Sequence, residues 1–287
     1  MSALSRHLRR GLVVAGLAVS LIGLSACAGG SDTGSSAAPG ATTDGALQTI
    51  TPGKLTIATG QPAYSPWVIG DKPESGEGLE AAVSYALAEK LGFAKDDVVW
   101  VRTTFDAAIA PGPKDWDLNI QQFSATDERR QAVDFSTPYY TTSQAVVAKD
   151  ATTAAKVSTI ADLKKATVGA MVGTTSYTVL KDATGVDPQV FNSNADLVAA
   201  LQSGQIDALV VDLPTAFYVT GAQVEGSVIV GQFADTTGGD ELSYVLPKDS
   251  ALTAPVSAAL DALRADGTLD KLAEKWITSQ ADVPVLK

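Results

Sequence analysis

The sequence contains one cysteine and one histidine in 287 residues, and both lie near its beginning, at Cys27 and His7. Beyond Cys27 the chain therefore offers no disulfide, no cysteine nucleophile, no Ser-His-Asp triad and no His or Cys ligands for structural zinc. An enzyme built from this chain would have to use carboxylates, lysines or tyrosines alone. Most hydrolases and oxidoreductases are disfavoured on this ground, and we expect neither a cofactor nor a metal ion.

Basic residues are also scarce. Lys and Arg together number 21 against 32 Asp and Glu, which gives a formal net charge of -11. Nucleic-acid binding requires clustered Lys and Arg against the phosphates, so the composition argues against a nucleic-acid partner. We interpret the acidity as a property that keeps the protein soluble. The chain is long enough for one large domain or two modest ones.

The one long apolar run lies at the start of the chain. Three arginines and no acidic residue precede residues 11–24, which are almost wholly apolar. This order is typical of a secretory signal peptide, and the run is too short to span a bilayer comfortably. Leu24-Ser25-Ala26-Cys27 resembles a bacterial lipobox, which implies that residues 1–26 are removed and that Cys27 is lipidated. An ordinary signal peptide with an incidental cysteine is the alternative.

The next segment is rich in Ala, Gly, Ser and Thr and has no apolar periodicity. It predicts a flexible tether over 27–49. A tether between a lipid anchor and a folded body implies work at the outer surface of a membrane.

Apolar patterning predicts a folded body in which strands and helices alternate. Strands are predicted at 54–59, 98–101, 118–122, 145–148, 167–172, 189–191, 206–211 and 242–246. Helices are predicted at 79–91, 174–182 and 194–203, with Asn194 as an N-cap, and two more between 251 and 277, separated at Asp266-Gly267. Such alternation is typical of α/β layers with largely parallel sheets. Its two runs, 54–143 and 144–234, predict two α/β units with a ligand cleft between them.

The most informative pattern lies at 124–140. It reads Ser124-Ala125-Thr126-Asp127-Glu128-Arg129 and then Val133-Asp134-Phe135-Ser136-Thr137-Pro138-Tyr139-Tyr140. The pattern resembles a signature of the amino-acid-binding proteins of bacterial ABC importers, extracellular solute-binding protein family 3. Gly173-Thr174-Thr175 and 206–212 resemble further stretches of that family in the same order, and the resemblance covers nearly all of residues 50–280.

The resemblance implies a two-lobed α/β fold like that of the type II periplasmic binding proteins, in which the lobes close on a ligand in the interlobe cleft. We expect lobe 1 at 50–142 plus 236–287, because 242–246 reads as a returning strand and the last helices need a surface. Lobe 2 is then 143–235. The implied partners are a free amino acid, an ABC permease with its ATPase, and the membrane through the lipid on Cys27. We expect an extracytoplasmic monomer.

Five residues match family positions that hold the ligand head group. Arg129 matches the arginine that grips the α-carboxylate, and a guanidinium suits this role because it bonds a carboxylate with two parallel donors. Asp212 matches the aspartate that pairs with the α-ammonium, and Ser124 matches a head-group contact. Gly173 and Thr175 lie at a predicted helix start, where backbone N–H groups hold anions. Plain helix capping is the alternative for Ser124, Thr175 and Asp212.

The side-chain pocket is less determined by the pattern. Tyr64 matches an aromatic residue that stacks on the ligand, Phe105 matches a second wall, and Trp67 is a further aromatic candidate. Each of the three has a place in the core as its alternative. Gln122 and its neighbour Gln121 offer amide groups to a ligand side chain.

The ligand side chain is expected to be polar and uncharged. Gln61 stands where cationic-amino-acid binders of the family tend to carry Asp, and a basic side chain would require another acid close to the aromatic wall. An acidic side chain would require a spare Arg or Lys, and none is evident near Tyr64 or Phe105. Glutamine or asparagine fits best, with glutamate as the alternative if Lys72 or Lys114 reaches the pocket.

Two other classes of function stay open. A few relatives on this fold are dehydratases or lyases, so a dehydratase-like enzyme is one alternative. A ligand-sensing receptor subunit that acts through a partner is the other.

Overall fold

The computed structural model of the protein describes residues 47–234, 239–277 and 283–287. The predicted signal peptide at 1–26, the predicted lipidation site Cys27 and the tether up to residue 46 lie outside the described residues. Within the described ranges, no helix is long and apolar enough to cross a membrane.

Ten strands and nine helices follow one another in the described part of the chain. Up to residue 148 they are β1 Leu55–Thr59, α1 Leu79–Lys90, β2 Val98–Arg102, α2 Phe105–Ile109, β3 Leu118–Ser124, β4 Val133–Thr142 and β5 Gln144–Ala148. Then come α3 Ala151–Ala154, α4 Ile160–Leu163, β6 Val168–Met171, α5 Thr175–Thr184, β7 Gln189–Phe191, α6 Asn194–Ser203 and β8 Ala208–Asp212. The last are α7 Leu213–Tyr218, β9 Val228–Gln232, β10 Asp240–Pro247, α8 Thr253–Ala265 and α9 Thr268–Trp276.

The strands form two five-stranded sheets, each the centre of one lobe. The first sheet has the order β2-β1-β3-β10-β4 and the second the order β7-β6-β8-β5-β9. Both sheets are mixed and not largely parallel as the alternation predicts. β10 runs antiparallel to β3 and β4, and β5 runs antiparallel to β8 and β9. The reason is that β5 and β10 directly follow the two points where the chain crosses between the sheets, so neither arrives through a parallel βαβ connection.

Helices from distant parts of the chain pack together in the core of the first lobe. In α1, Leu79, Val83 and Leu87 are spaced four residues apart and enter the same buried core as Val256 and Leu260 of α8. Helices α8 and α9 contact α1 and β4, and β10 lies between β3 and β4. The expected break between the last two helices falls where predicted, because Gly267 has a φ of 77° and the chain turns there.

Two details of the sequence interpretation are wrong. The N-cap of α6 is Ser193, whose hydroxyl accepts from the amide of Asp196, and not Asn194. The C-terminal residues 283–287, placed with lobe 1 by the sequence, lie on the second lobe. The backbone of Gln232 in β9 bonds Pro284 and Leu286 at 2.8 Å each, and the side chain of Leu286 enters the core of the second lobe. The last residues of the chain thus cover the β9 edge of the second sheet. Helical periodicity in the sequence gives no sign of this contact.

Candidate functional site

A cleft between the lobes collects the ends of four strands. Strands β1 and β3 pair in parallel in the first sheet, and β6 and β8 pair in parallel in the second sheet. The carboxyl ends of parallel strands are where open α/β sheets place ligands. The cleft is lined by residues from both lobes, among them Tyr64, Phe105, Gln122, Arg129, Thr175 and Asp212.

Arg129 lies in a short 3-10 turn between β3 and β4, and its side chain is buried in the cleft wall. Its Nη1 donates to the carbonyl of Ser124 at 2.7 Å, and its Nη2 donates to the carbonyl of Gly173 at 2.7 Å. The guanidinium carbon lies 5.3 Å from the centre of the Phe105 ring. Two of its N–H groups are thus bound, one to a carbonyl of each lobe. The guanidinium therefore has a fixed orientation and keeps its remaining donors for a ligand.

The turn from Gly173 to Thr175 faces Arg129 from the second lobe. Gly173 has a φ of 72°, which favours glycine there, and Thr174 caps α5 by accepting from the amide of Tyr177. The hydroxyl of Thr175 is therefore not the cap. It lies 3.4 Å from the Ser124 hydroxyl across the cleft and donates to Asp240 at 2.9 Å.

Asp212 ends β8 on the second lobe. It holds the N-cap position of α7, but its side chain accepts no cap bond; its Oδ1 instead accepts from Nε2 of Gln144 at 2.6 Å. Burial, together with the nearby carboxylate of Asp240, raises the pKa of Asp212 to about 7, although the hydrogen bond from Gln144 and the charge of Arg129 oppose the rise. The site thus holds a carboxylate whose charge is costly until a cation arrives.

The loop that carries Tyr64 is pinned to the first lobe by an ion pair. Oδ1 of Asp71 accepts from the amide of Ala63 at 2.8 Å and from Arg102 at 2.5 Å. The Tyr64 hydroxyl accepts from the amide of Ala195 in α6 at 3.3 Å. Tyr64 therefore forms one wall of the cleft and also touches the opposite lobe.

Phe105 forms the second aromatic wall. It is the first residue of α2, whose N-cap is Thr104, and its ring stacks on Phe123 with centres 4.5 Å apart. The next residue, Asp106, is exposed at the outer part of the cleft, which also includes Gln61 and Gln121. Oδ1 of Asp106 lies 3.3 Å from the point where a Cβ on Gly173 would stand, so this carboxylate reaches the second lobe.

Gln122 enters the cleft wall in an unusual conformation. Its φ is 51°, and its backbone amide donates to Oε1 of Glu80 at 2.7 Å, while its side-chain amide donates to Oε2. The hydroxyl of Tyr139 also donates to Oε1 of Glu80. Burial raises the pKa of Glu80 to about 7, although these three donors oppose the rise. The buried Glu80 thus fixes the orientation of Gln122.

Trp67 does not line the cleft. Its side chain is 1% exposed, its ring meets Tyr140 edge to face at 5.9 Å, and its Nε1 donates to Oγ1 of Thr215 in α7 at 3.0 Å. The sequence interpretation made Trp67 a candidate ligand contact, whereas the structure makes it a contact between the lobes.

The structure therefore brings together the candidate ligand contacts other than Trp67, which it places apart from them. Sequence reasoning missed Glu80, Asp106, Gln144 and Asp240. One signal was available for Glu80, which stands beside Leu79 and Val83 on the apolar face of its helix. No local pattern distinguishes Asp240 or Gln144, because their roles depend on contacts with residues far away in the sequence.

Comparison with known proteins agrees with this architecture. Residues 55–279 match the family described as bacterial extracellular solute-binding proteins, family 3. A probable histidine-binding protein of Campylobacter jejuni is 30% identical over 230 residues, which cover 77% of this chain and 85% of that protein. The L-arginine-binding protein of Pseudomonas aeruginosa is 30% identical over 226 residues, covering 75% and 85% respectively.

Solved structures extend the similarity to the fold. An ancestral arginine-binding protein bound to arginine has a TM-score of 0.66 and 32% identity, covering 78% of this chain and 98% of that one. The same description bound to glutamine has a TM-score of 0.67 and 32% identity, covering 79% and 98%. The predicted two-lobed α/β fold of type II is confirmed by this similarity and by the two sheets. The chain belongs to the bacterial extracellular solute-binding proteins of family 3.

Proposed function

We propose that the protein captures a free amino acid outside the cytoplasm and delivers it to the permease and ATPase of an ABC importer. The observation that carries the proposal is the placement of Arg129 and Asp212 on opposite lobes of one cleft. A guanidinium for the α-carboxylate and a carboxylate for the α-ammonium match the head group that all amino acids share. The relatives named above as histidine- and arginine-binding proteins support amino-acid import as the general role.

The ligand side chain is proposed to be basic, as in arginine, and not uncharged. The sequence-based expectation rested on Gln61 in place of the Asp that cationic-amino-acid binders tend to carry, whereas Asp106 lies next to Phe105 in the outer cleft. Within the described residues, Arg129 is the only basic residue among those lining the cleft, and neither Lys72 nor Lys114 is among them. A cationic side chain between Tyr64 and Phe105 would gain cation–π contacts and face Asp106.

Calorimetry on protein that has been unfolded and refolded to remove carried ligand tests this proposal. We expect arginine to bind more tightly than glutamine, asparagine or glutamate. Asp106→Asn should weaken arginine binding about fivefold, the effect of about 1 kcal/mol for an exposed ion pair, and leave glutamine binding unchanged. Asp115→Asn, on an exposed carboxylate outside the cleft, is the matched control. Tighter binding of glutamine than of arginine would reject the basic side chain but keep the general role.

The contact between Trp67 and Thr215 is expected to stabilise the closed lobes. Thr215→Val and Trp67→Phe each remove one partner of the bond, and each should weaken ligand binding about fivefold through a smaller closed population. The double variant should be little weaker than either single variant, because both remove the same interaction. Calorimetry with the proposed ligand measures the cycle.

Trp100→Phe is the control for this cycle, since the Trp100 indole donates to Tyr85 at 3.1 Å within the first lobe. Fully additive losses of ligand affinity in the Trp67 and Thr215 variants would contradict a contact between these two residues that stabilises the closed lobes.

The protein is also proposed to be lipid-anchored through Cys27 after removal of residues 1–26. The support is the lipobox-like Leu24-Ser25-Ala26-Cys27 after a charged and then apolar leader. Cys27→Ser should leave the protein unprocessed or release it from the membrane fraction, as measured by fractionation and mass spectrometry. Ser36→Ala in the tether should change neither. Unchanged membrane partitioning of the Cys27 variant would refute the anchor.

The relatives reported above are described as binding proteins, which supports binding over a dehydratase-like activity. Incubation with prephenate or arogenate is expected to yield no product.

A further inference from the structure

One amide nitrogen joins Asp212, which lines the cleft, to Asp240 of the other lobe. Nε2 of Gln144, at the start of β5, donates to Oδ1 of Asp212 at 2.6 Å and to Oδ2 of Asp240 at 2.5 Å. Asp212 belongs to the second sheet, and Asp240 is the first residue of β10 in the first sheet. Ser176 holds the other end of the Gln144 amide by donating to its Oε1 at 2.5 Å. Two carboxylates are thus held beside each other by a fixed bridge.

The charged and titratable groups around Asp212 come from four further elements. Asp240 faces it from β10, Glu80 from α1, Arg129 from the turn after β3, and Tyr139 and Tyr140 from β4. Arg129 is the single cation in this set, against the carboxyl groups of Asp212, Asp240 and Glu80. Asp212 shares Arg129 with Asp240, because Asp240 is the carboxylate that raises the pKa of the buried guanidinium most. The surroundings therefore disfavour a negative charge on Asp212 as long as the cleft holds no ammonium.

We propose that Asp240 is a further charged residue of the head-group site, and that it makes ligand capture a proton-releasing step by placing a second carboxylate beside Asp212. This inference rests on the proposed amino-acid site. When the ligand enters, the O–H bond of a protonated Asp212 breaks, its proton goes to the buffer, and the carboxylate accepts from the ligand ammonium. Asp240 acts on the ligand through Asp212 and Thr175, so it is a positioning residue.

The sign of the effect follows from the direction of the shift. Burial and the charge of Asp240 raise the pKa of Asp212 to about 7 in the ligand-free protein, and a bound ammonium favours the ionised form. Protons therefore compete with the ligand below that pH. The Kd is expected to rise about tenfold when the pH is lowered from about 8 to about 6.

A carboxyl NMR titration of the ligand-free full-length protein tests the arrangement without any ligand. The Asp212 resonance, assigned by its loss in Asp212→Asn, should titrate near neutral pH in the wild type and clearly lower in Asp240→Asn. Glu241→Gln, which removes the next carboxylate on the same strand at an exposed position, should leave the Asp212 titration unchanged. An Asp212 that titrates in the ordinary acid range, or equally in wild type and Asp240→Asn, overturns the proposal even if amino acids bind.

Calorimetry with arginine across the same pH range tests whether ligand capture releases a proton. We expect the wild type and Glu241→Gln to lose about tenfold in affinity and to release a proton, detected with buffers of different ionisation enthalpy. Asp240→Asn should lose less than about threefold and release less. Asp240→Ser, which keeps a hydroxyl for Gln144 and Thr175, should behave in the same way and separates charge from hydrogen bonding. A flat wild-type profile, or equal profiles in all variants, overturns the proposal. Failure of every amino acid to bind at about pH 8 would instead refute the proposed function, and the NMR titration would still decide the role of Asp240.

Discussion

Arg129→Ala is expected to weaken amino-acid binding by at least about thirtyfold. Removal of one partner of a buried charge pair costs about 2–5 kcal/mol, since the other charge is left without compensation, and about 2 kcal/mol corresponds to thirtyfold. Here the carbonyls of Ser124 and Gly173 hold the buried guanidinium in one orientation. When the guanidinium is removed, no water-exposed conformation compensates for the lost contact at low cost. Isothermal calorimetry with the proposed ligand measures the loss.

Two companion variants sharpen this experiment. Arg130→Ala removes the neighbouring exposed arginine, whose guanidinium lies over Phe135 at 5.4 Å, and should leave the affinity unchanged. Arg129→Lys keeps the charge but loses the planar fork, so an intermediate loss is expected. Circular dichroism and a thermal melt show whether each variant is folded. Near-native affinity of a folded Arg129→Ala protein would remove Arg129 from the site.

The second large effect concerns stability and pH. Burial raises the pKa of Glu80 from 4.5 to about 7, so the folded state binds this proton more tightly than the unfolded state. The stabilisation from the protonated carboxyl is complete below the unfolded pKa and is lost as the pH rises through the folded one. Glu80→Gln stays neutral at every pH. The free energy of unfolding of the wild type should therefore fall relative to Glu80→Gln by about 2 kcal/mol between about pH 5 and pH 8.

Urea denaturation of both proteins across this pH range gives the difference. The mismatch between a glutamine amide and the amide of Gln122 adds a nearly constant offset, so the slope with pH is the informative quantity. Asp212, whose pKa is also raised, contributes to both proteins and largely cancels. Glu89→Gln, on an exposed position of the same helix, should reproduce the wild-type slope. Parallel curves for the wild type and Glu80→Gln would show that Glu80 titrates normally.

The sequence by itself determined the family and the class of fold. Strand and helix periods are local, so β1, α1, β3, α6 and β8 were predicted within a few residues. The pattern at 124–140 directed attention to Arg129, and the order of later motifs directed it to Asp212. These features depend on residue types at fixed short spacings, which a single chain displays directly.

The tertiary structure alone decided how the charges are distributed. Asp240 meets Gln144 across 96 residues of sequence, and Trp67 meets Thr215 across 148. Interactions over such separations depend on where the chain crosses between the sheets, and no local period encodes those crossings. For the same reason the sequence placed residues 283–287 on the wrong lobe. Asp106 follows Phe105 directly in the sequence, but only the fold brings its carboxylate to Gly173 of the second lobe. Local pattern determined which residues are buried or lie at strand ends, whereas long-range packing decided which of them share one electrostatic environment.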